Sequence, residues 1–203
     1  MTVSFHLKED KAWAEAGHEV AFGQYVYKIE EPKKTCPEGV KVIRSTHNIG
    51  VRGAHFEVLF SVLNGGLVSY KYAGKEMIEA IPKPNFWRAP TDNDSGNLMG
   101  MRYGQWKLAS MYLSHKDFRQ GAYGPANMPE VEVNEKSVKV SYTYIMPTTP
   151  TSECKLSYEI FGDGRVKTTL VYDPVKELGD MPEFGVMFKF DADYDNVTWY
   201  GMG

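Results

Sequence analysis

The chain has 203 residues, of which 42% are hydrophobic, 13% aromatic and 24% charged, with a net charge of −3 and a pI near 6.0. That is apolar material enough for one large domain or one and a half ordinary ones. The mildly acidic balance speaks against nucleic acid or an anionic membrane surface as partner, and no run approaches the roughly 18 apolar residues of a membrane-spanning helix.

The N-terminus, Met1 leading into Thr2-Val3-Ser4-Phe5-His6-Leu7-Lys8, lacks the basic start and apolar stretch of a signal peptide. Val3, Phe5 and Leu7 alternate with polar residues and predict a strand, and residues 18–29 predict its partner. Residues 30–39 carry charges and two prolines without periodicity, and read as a linker. Two strands before a linker are too few to close a sandwich, so they read as the tail of a preceding domain.

Beyond the linker, residues 56–63 and 67–72 flank Asn64-Gly65-Gly66 as a hairpin. The best helical window is residues 99–114, with a short helix expected over 103–110 despite Gly100 and Gly104. A turn is expected at 132–137. Val138, Val140, Tyr142 and Tyr144 then alternate with Lys139, Ser141 and Thr143. Residues 154–161 and 166–172 flank a glycine-containing turn, and residues 184–190 and 197–200 suggest a last pair of strands. Period-two patterning with one wet face, rich in β-branched and aromatic residues, predicts an all-β sandwich of antiparallel sheets.

The chemistry-bearing stretch is Pro84-Asn85-Phe86-Trp87-Arg88-Ala89-Pro90-Thr91-Asp92-Asn93-Asp94-Ser95-Gly96. A calcium loop counted from Asp92 would need oxygen ligands at positions 1, 3 and 5, Gly at 6 and Glu at 12. Position 5 is Gly96 and position 12 is Tyr103, so that pattern fails. A retaining glycosidase pair holds its carboxyls about 5 to 5.5 Å apart across the scissile bond, and neighbours on one loop seldom face each other across a ligand. Two readings stay open: a structural turn, in which an aspartate caps backbone N–H groups and Arg88 neutralises one carboxylate bidentately, or a ligand-facing loop.

Elsewhere the signals are thin. His6, His18, His47, His55 and His115 form no zinc-type pair, and His18 reads most simply as a hydrogen-bonded strand residue. Gly50-Val51-Arg52-Gly53 lacks phosphate-loop spacing, and no Gly-x-Ser-x-Gly occurs. Cys36 and Cys154 are too few for a metal cluster or disulfide framework. Trp13, Trp87, Trp106 and Trp199 could stack on sugar rings but are more often core.

The run from Pro84 to Asp94 resembles the signature of the C-terminal, small-chain β-sandwich domain of family 2 β-galactosidases. Trp13-Ala14, followed by Gly17-His18-Glu19-Val20-Ala21-Phe22-Gly23-Gln24, resembles the end of the immunoglobulin-like domain before it. Met181-Pro182-Glu183-Phe184-Gly185-Val186 and Asn196-Val197-Thr198-Trp199-Tyr200-Gly201-Met202-Gly203 resemble later strands of the same sandwich.

The resemblance implies a galactose-mutarotase-like supersandwich in its N-terminal part, preceded by strands of an Ig-like sandwich. Residues 1–30 would be the immunoglobulin-like strands, 31–39 the linker and 40–203 the large sandwich. The parent would be a multidomain, homo-oligomeric retaining hydrolase of terminal β-D-galactosyl groups. Its catalytic glutamates and Mg2+ would sit on a (β/α)8 barrel, with no catalytic residue and no metal in this segment. The segment would scaffold the barrel and shape the substrate entrance. Its substrate-proximal residues would be Arg88, Asp92, Asn93, Asp94, Ser95, Gly96 and Asn97, with Gly96 as hinge. The rival is a stand-alone carbohydrate-binding or mutarotase-like domain, for which His55 and Glu57 would be the acid–base pair.

Overall fold

The computed structural model describes residues 1–26, 39–117, 119 and 128–198. The chain divides into two compact units, Met1–Thr35 and Cys36–Gly203. The expected linker lies, apart from Gly39, outside the described residues.

In the first unit the alternation of Val3 and Phe5 becomes β1 (Thr2–His6), antiparallel to β2 (Glu19–Gln24) with Thr2 opposite Gln24. His6 Nδ1 lies 2.9 Å from the Gly17 carbonyl oxygen, and Trp13 meets His18 edge-on at 5.4 Å. The alternation has the form of a strand without the burial. Phe5 and Phe22 are 65% and 63% exposed, because among the described residues of its unit this hairpin has no second layer.

The second unit is built from two facing antiparallel sheets. One runs in chain order through β3 (Lys41–Arg44), β4 (Asn48–Arg52), β5 (Phe56–Ser61), β6 (Gly66–Tyr72) and β7 (Lys75–Glu76). A short strand β8 (Lys83–Asn85) follows, and then three helical turns: α1 (Asp92–Gly96), α2 (Met99–Arg102) and α3 (Gly104–Tyr112). The other sheet holds β9 (Glu130–Val133), β10 (Ser137–Met146), β11 (Ser152–Phe161) and β12 (Val166–Tyr172), in the order β12-β11-β10-β9. Finally β13 (Gly185–Met187) pairs back onto β8, with Val186 opposite Pro84.

The period-two rows meet between these sheets. Phe56, Val58 and Phe60 of β5 are buried, as are Val138, Val140 and Tyr142 of β10 and Leu156, Tyr158 and Ile160 of β11. Phe60 lies 6.4 Å from the Tyr142 ring and 5.5 Å from Tyr158. Buried phenols need acceptors, and here they find them on other elements. Tyr142 donates to the Ser61 carbonyl at 3.2 Å, Tyr70 to the Gly164 carbonyl at 2.8 Å and Tyr158 to the Pro82 carbonyl at 3.4 Å. Burial pushes the hydroxyls of Tyr142, Tyr144 and Tyr158 well above the usual tyrosine range. This is an all-β sandwich, as the patterning predicts.

The outer face of the four-stranded sheet is polar but not wholly wet. Ser141 and Ser157 are buried and bond each other at 2.9 Å, while Lys155 reaches over β10 to Glu130. Short hydroxyl side chains are screened there by longer neighbours.

Two expectations shift. The expected pair of strands at 184–190 and 197–200 is not seen among the described residues: β13 takes β8, Val197 and Thr198 lie outside any strand, and Trp199 and Tyr200 fall outside the described residues. The helix expected over 103–110 is α3, running to Tyr112, and two shorter turns precede it.

Candidate functional site

The acidic run is neither an open loop nor a plain turn. Thr91 is the N-cap of α1: its hydroxyl accepts from the Asp94 N–H at 3.3 Å, and the Asp94 carboxylate accepts from the Thr91 N–H at 2.8 Å. This reciprocal pair is a capping box, with Asp where Glu is more usual.

Arg88 completes the knot. Its guanidinium grips Asp94 bidentately, with Nη2 to Oδ1 at 2.9 Å and Nη1 to Oδ2. The Thr91 hydroxyl adds a bond to Oδ2 at 2.9 Å. The Arg88 bonds, then those from Thr91, hold the Asp94 carboxyl far below the usual carboxylate range. Arg88 is shifted upward in turn by the same contact with Asp94.

The remaining run residues have separate duties. Asp92 and Asn93 stand exposed in the first helical turn, where a carboxylate favours the helix N-terminus. Ser95 Oγ donates back to the Thr91 carbonyl at 3.0 Å. Asn97 closes the helix through its N–H to the Asn93 carbonyl at 2.9 Å, and its side-chain oxygen accepts from Arg102. Gly96 ends α1 in a right-handed helical turn, and an added Cβ there would meet nothing within 4 Å. The left-handed residue of this stretch is Leu98, at φ 57°.

The corner before the helix is anchored in the core. Asn85 Nδ2 donates to the Trp87 carbonyl at 2.8 Å, and the Phe86 N–H donates to Ser110 Oγ of α3 at 2.8 Å. Phe86 is fully buried, 5.9 Å from the Trp106 ring, which meets Tyr172 of β12 edge-on at 5.7 Å. Arg88 thus extends from a fixed point. A cleft of about 140 Å³ opens beside it, bordered by Arg88, Asp94, Asn97, Tyr103 and Asp180.

This geometry decides between the chemical readings. Residues two apart on a helix do not face each other, so Asp92 and Asp94 cannot flank a scissile bond. Asp94 spends its oxygens on Arg88 and Thr91, and a carboxyl held so acidic is a poor proton donor near neutrality. The capping reading and the Arg88 neutralisation are both realised, on the same aspartate.

Trp106 is core, Trp13 is exposed and Trp199 is outside the described residues. Glu57 pairs with Arg52 at 3.3 Å on the exposed side of β5, with His55 in the turn before that strand. The Cys154 thiol is buried and pushed up to about 12 by desolvation and then by Glu153, while Cys36 is outside the described residues. Among the described residues no group of three or more His, Cys, Asp or Glu could hold a metal ion. Sequence reasoning missed Thr91 as a cap, although Thr-x-x-Asp before a turn is close to the capping-box signature. It had no means of placing Asp180 beside the run.

Comparison with known proteins locates this architecture. A family model described as beta galactosidase small chain matches residues 52–203, and one described as beta-galactosidase, domain 4 matches residues 1–28. The chain belongs to the beta-galactosidase small-chain family. It is 38% identical over 205 residues to a beta-galactosidase of Clostridium acetobutylicum, covering all of this chain and 22% of that protein. With the beta-galactosidase of Halalkalibacterium halodurans it shares 41% over 202 residues, covering 97% of this chain and 19% of that one. A beta-galactosidase small subunit of Latilactobacillus sakei is 33% identical over 170 residues, covering 79% of this chain and 54% of the subunit. The chain thus spans about a fifth of the length of the two larger relatives.

Proposed function

We propose that this chain is a segment of a larger retaining β-galactosidase that hydrolyses terminal β-D-galactosyl residues, and that it scaffolds the catalytic barrel and shapes the active-site entrance. The observation that carries this reading is the collinear similarity of nearly the whole chain to about a fifth of several beta-galactosidases. The knot at Arg88, Thr91 and Asp94 fits the scaffolding role, since it commits its charged groups to each other. In this reading residues 40–203 are the N-terminal part of a galactose-mutarotase-like supersandwich, and residues 1–30 are the last strands of an immunoglobulin-like domain.

The partners in this reading are the β-galactoside substrate and the barrel of the same polypeptide, in a homo-oligomeric parent. The general acid/base, the nucleophile and the Mg2+ belong to that barrel. Arg88, Asp92, Asn93, Asp94, Ser95, Gly96 and Asn97 border the entrance. Asp92 and Asn93 are the polar groups of the run with side chains still open to a sugar, because Asp94 is spent on the knot. Positioning from outside the chemistry is worth rate when it fixes substrate orientation.

The test is hydrolysis of a nitrophenyl galactoside by the full-length protein and by this chain alone. Activity in the former and none in the latter is expected; turnover by the pure 203-residue chain would overturn the scaffold reading.

A further inference from the structure

The small cleft beside Arg88 adjoins a larger one. Asp180 and Met181 border both, and the second, of about 400 Å³, is lined further by Trp106, Tyr172, Val175 and Phe184. Its size falls in the range of small-molecule sites. Three aromatic rings wall it: Trp106 is 1% exposed, Tyr172 meets that ring edge-on, and Phe184 stacks on Phe86 at 6.2 Å. The rim is tied to α3, where Gln105 Nε2 donates to the Leu178 carbonyl at 2.9 Å. Leu178 is buried, Gly179 turns the chain at φ 70°, and Asp180 is left exposed where the two clefts meet.

The polar groups around this cavity are incompletely used. Trp106 Nε1 is buried and has no hydrogen-bond partner among the described residues. A buried donor normally has one, and an aromatic face is a weak substitute. The Tyr172 hydroxyl accepts from the Val175 N–H at 3.2 Å, which leaves its own proton to donate. Among the described residues the Asp180 carboxylate receives one bond, at 3.5 Å, from the Tyr103 hydroxyl.

Two donors and one carboxylate between aromatic walls select among ligands. A cation would take the carboxylate and the ring faces but leave both donors unmet. An anion would meet the donors but face Asp180. A neutral ring bearing hydroxyls satisfies all three, since each hydroxyl both donates and accepts, and its C–H face packs on the aromatic walls. We infer that this cavity binds a neutral pyranose sugar, with Trp106 and Tyr172 donating to its hydroxyls and Asp180 accepting from one. The choice of galactose as the sugar to test rests on the proposed function above.

The test is a titration of the isotope-labelled chain with galactose, read by NMR at the assigned indole N–H of Trp106. The expected result is a saturable shift with a dissociation constant of about 1–10 mM. Asp180→Ala and Tyr172→Phe, at an exposed and a half-buried position, should each weaken binding about five- to tenfold. Choline and galacturonate serve as cationic and anionic probes, and each should bind at least about tenfold more weakly than galactose. No saturation by about 100 mM galactose overturns the inference. So does tighter binding of either charged probe, or an affinity unmoved by both substitutions. Nitrophenyl galactoside hydrolysis by the full-length protein is measured separately. Hydrolysis without a galactose response at Trp106 removes this site alone, whereas binding without hydrolysis removes the enzyme reading and leaves the site.

Discussion

The N-terminal hairpin and the two-sheet sandwich carry the same sequence pattern and reach opposite ends. Val3 and Phe5 alternate as cleanly as Val138, Val140 and Tyr142, yet the former are exposed and the latter buried. Alternation sets strand geometry and sorts side chains by face. Burial requires a second layer, and among the described residues only the larger unit has one within itself. Most of the apolar stabilisation therefore resides between the sheets, near Phe60, Tyr142 and Tyr158.

That contrast can be broken in graded steps, each read by chemical denaturation of the chain. The largest effect is expected from Phe60→Ala, at about 3–5 kcal/mol of lost stability, because it empties a site with no exposed surface. Gly65→Ala should cost about 2 kcal/mol, since Gly65 has φ 68° and a Cβ there would meet the His115 ring at 2.2 Å. Thr91→Ala removes the cap of α1 and should cost about 1 kcal/mol. Phe5→Ala in the hairpin should change stability by less than about 0.5 kcal/mol; a loss comparable to that at Phe60 would show that the hairpin face is covered in the chain.

The knot offers a pH-resolved version of the same test. The native Asp94 carboxyl is held below its ordinary value near 4 by Arg88 and then Thr91. Between the native and unfolded values the unfolded chain binds more protons, so stability rises with pH there. The contribution is whole above about pH 4 and is lost as pH falls toward the lower native value. Asp94→Asn should therefore be less stable than the parent chain at neutrality, with a gap that narrows on acidification. A constant gap would mean that the carboxylate charge is not what holds the turn.

How much of this could be read beforehand follows from the range of the forces involved. Strands β5, β6, β10, β11 and β12 and the hairpin turns at Gly65 and at Gly162 to Gly164 came from local alternation and local turn chemistry, whereas β3, β4, β7 and β9 were not foreseen. The pairing of β13 with β8 was likewise not foreseen, since about a hundred residues separate them and nothing in either strand names its partner. At the site, Arg88 and an aspartate are near in sequence and their pairing was foreseeable. The helical form of Asp92 to Gly96 was obscured because Asp, Asn, Ser and Gly all favour turns, and the cap at Thr91 overrode that preference.

By itself the sequence determined the all-β class, the faces of the main strands and the family. Those depend on period-two patterning and on one long contiguous motif, both written in neighbouring residues. Tertiary structure alone decided which aspartate is spent, which strands close the sheets and which side of α3 is left uncovered. The strand closures and the side of α3 that is covered rest on contacts between residues distant in the chain, whose energy exists only once the layers have packed, and the choice of Asp94 follows from the helical form that the cap at Thr91 imposes.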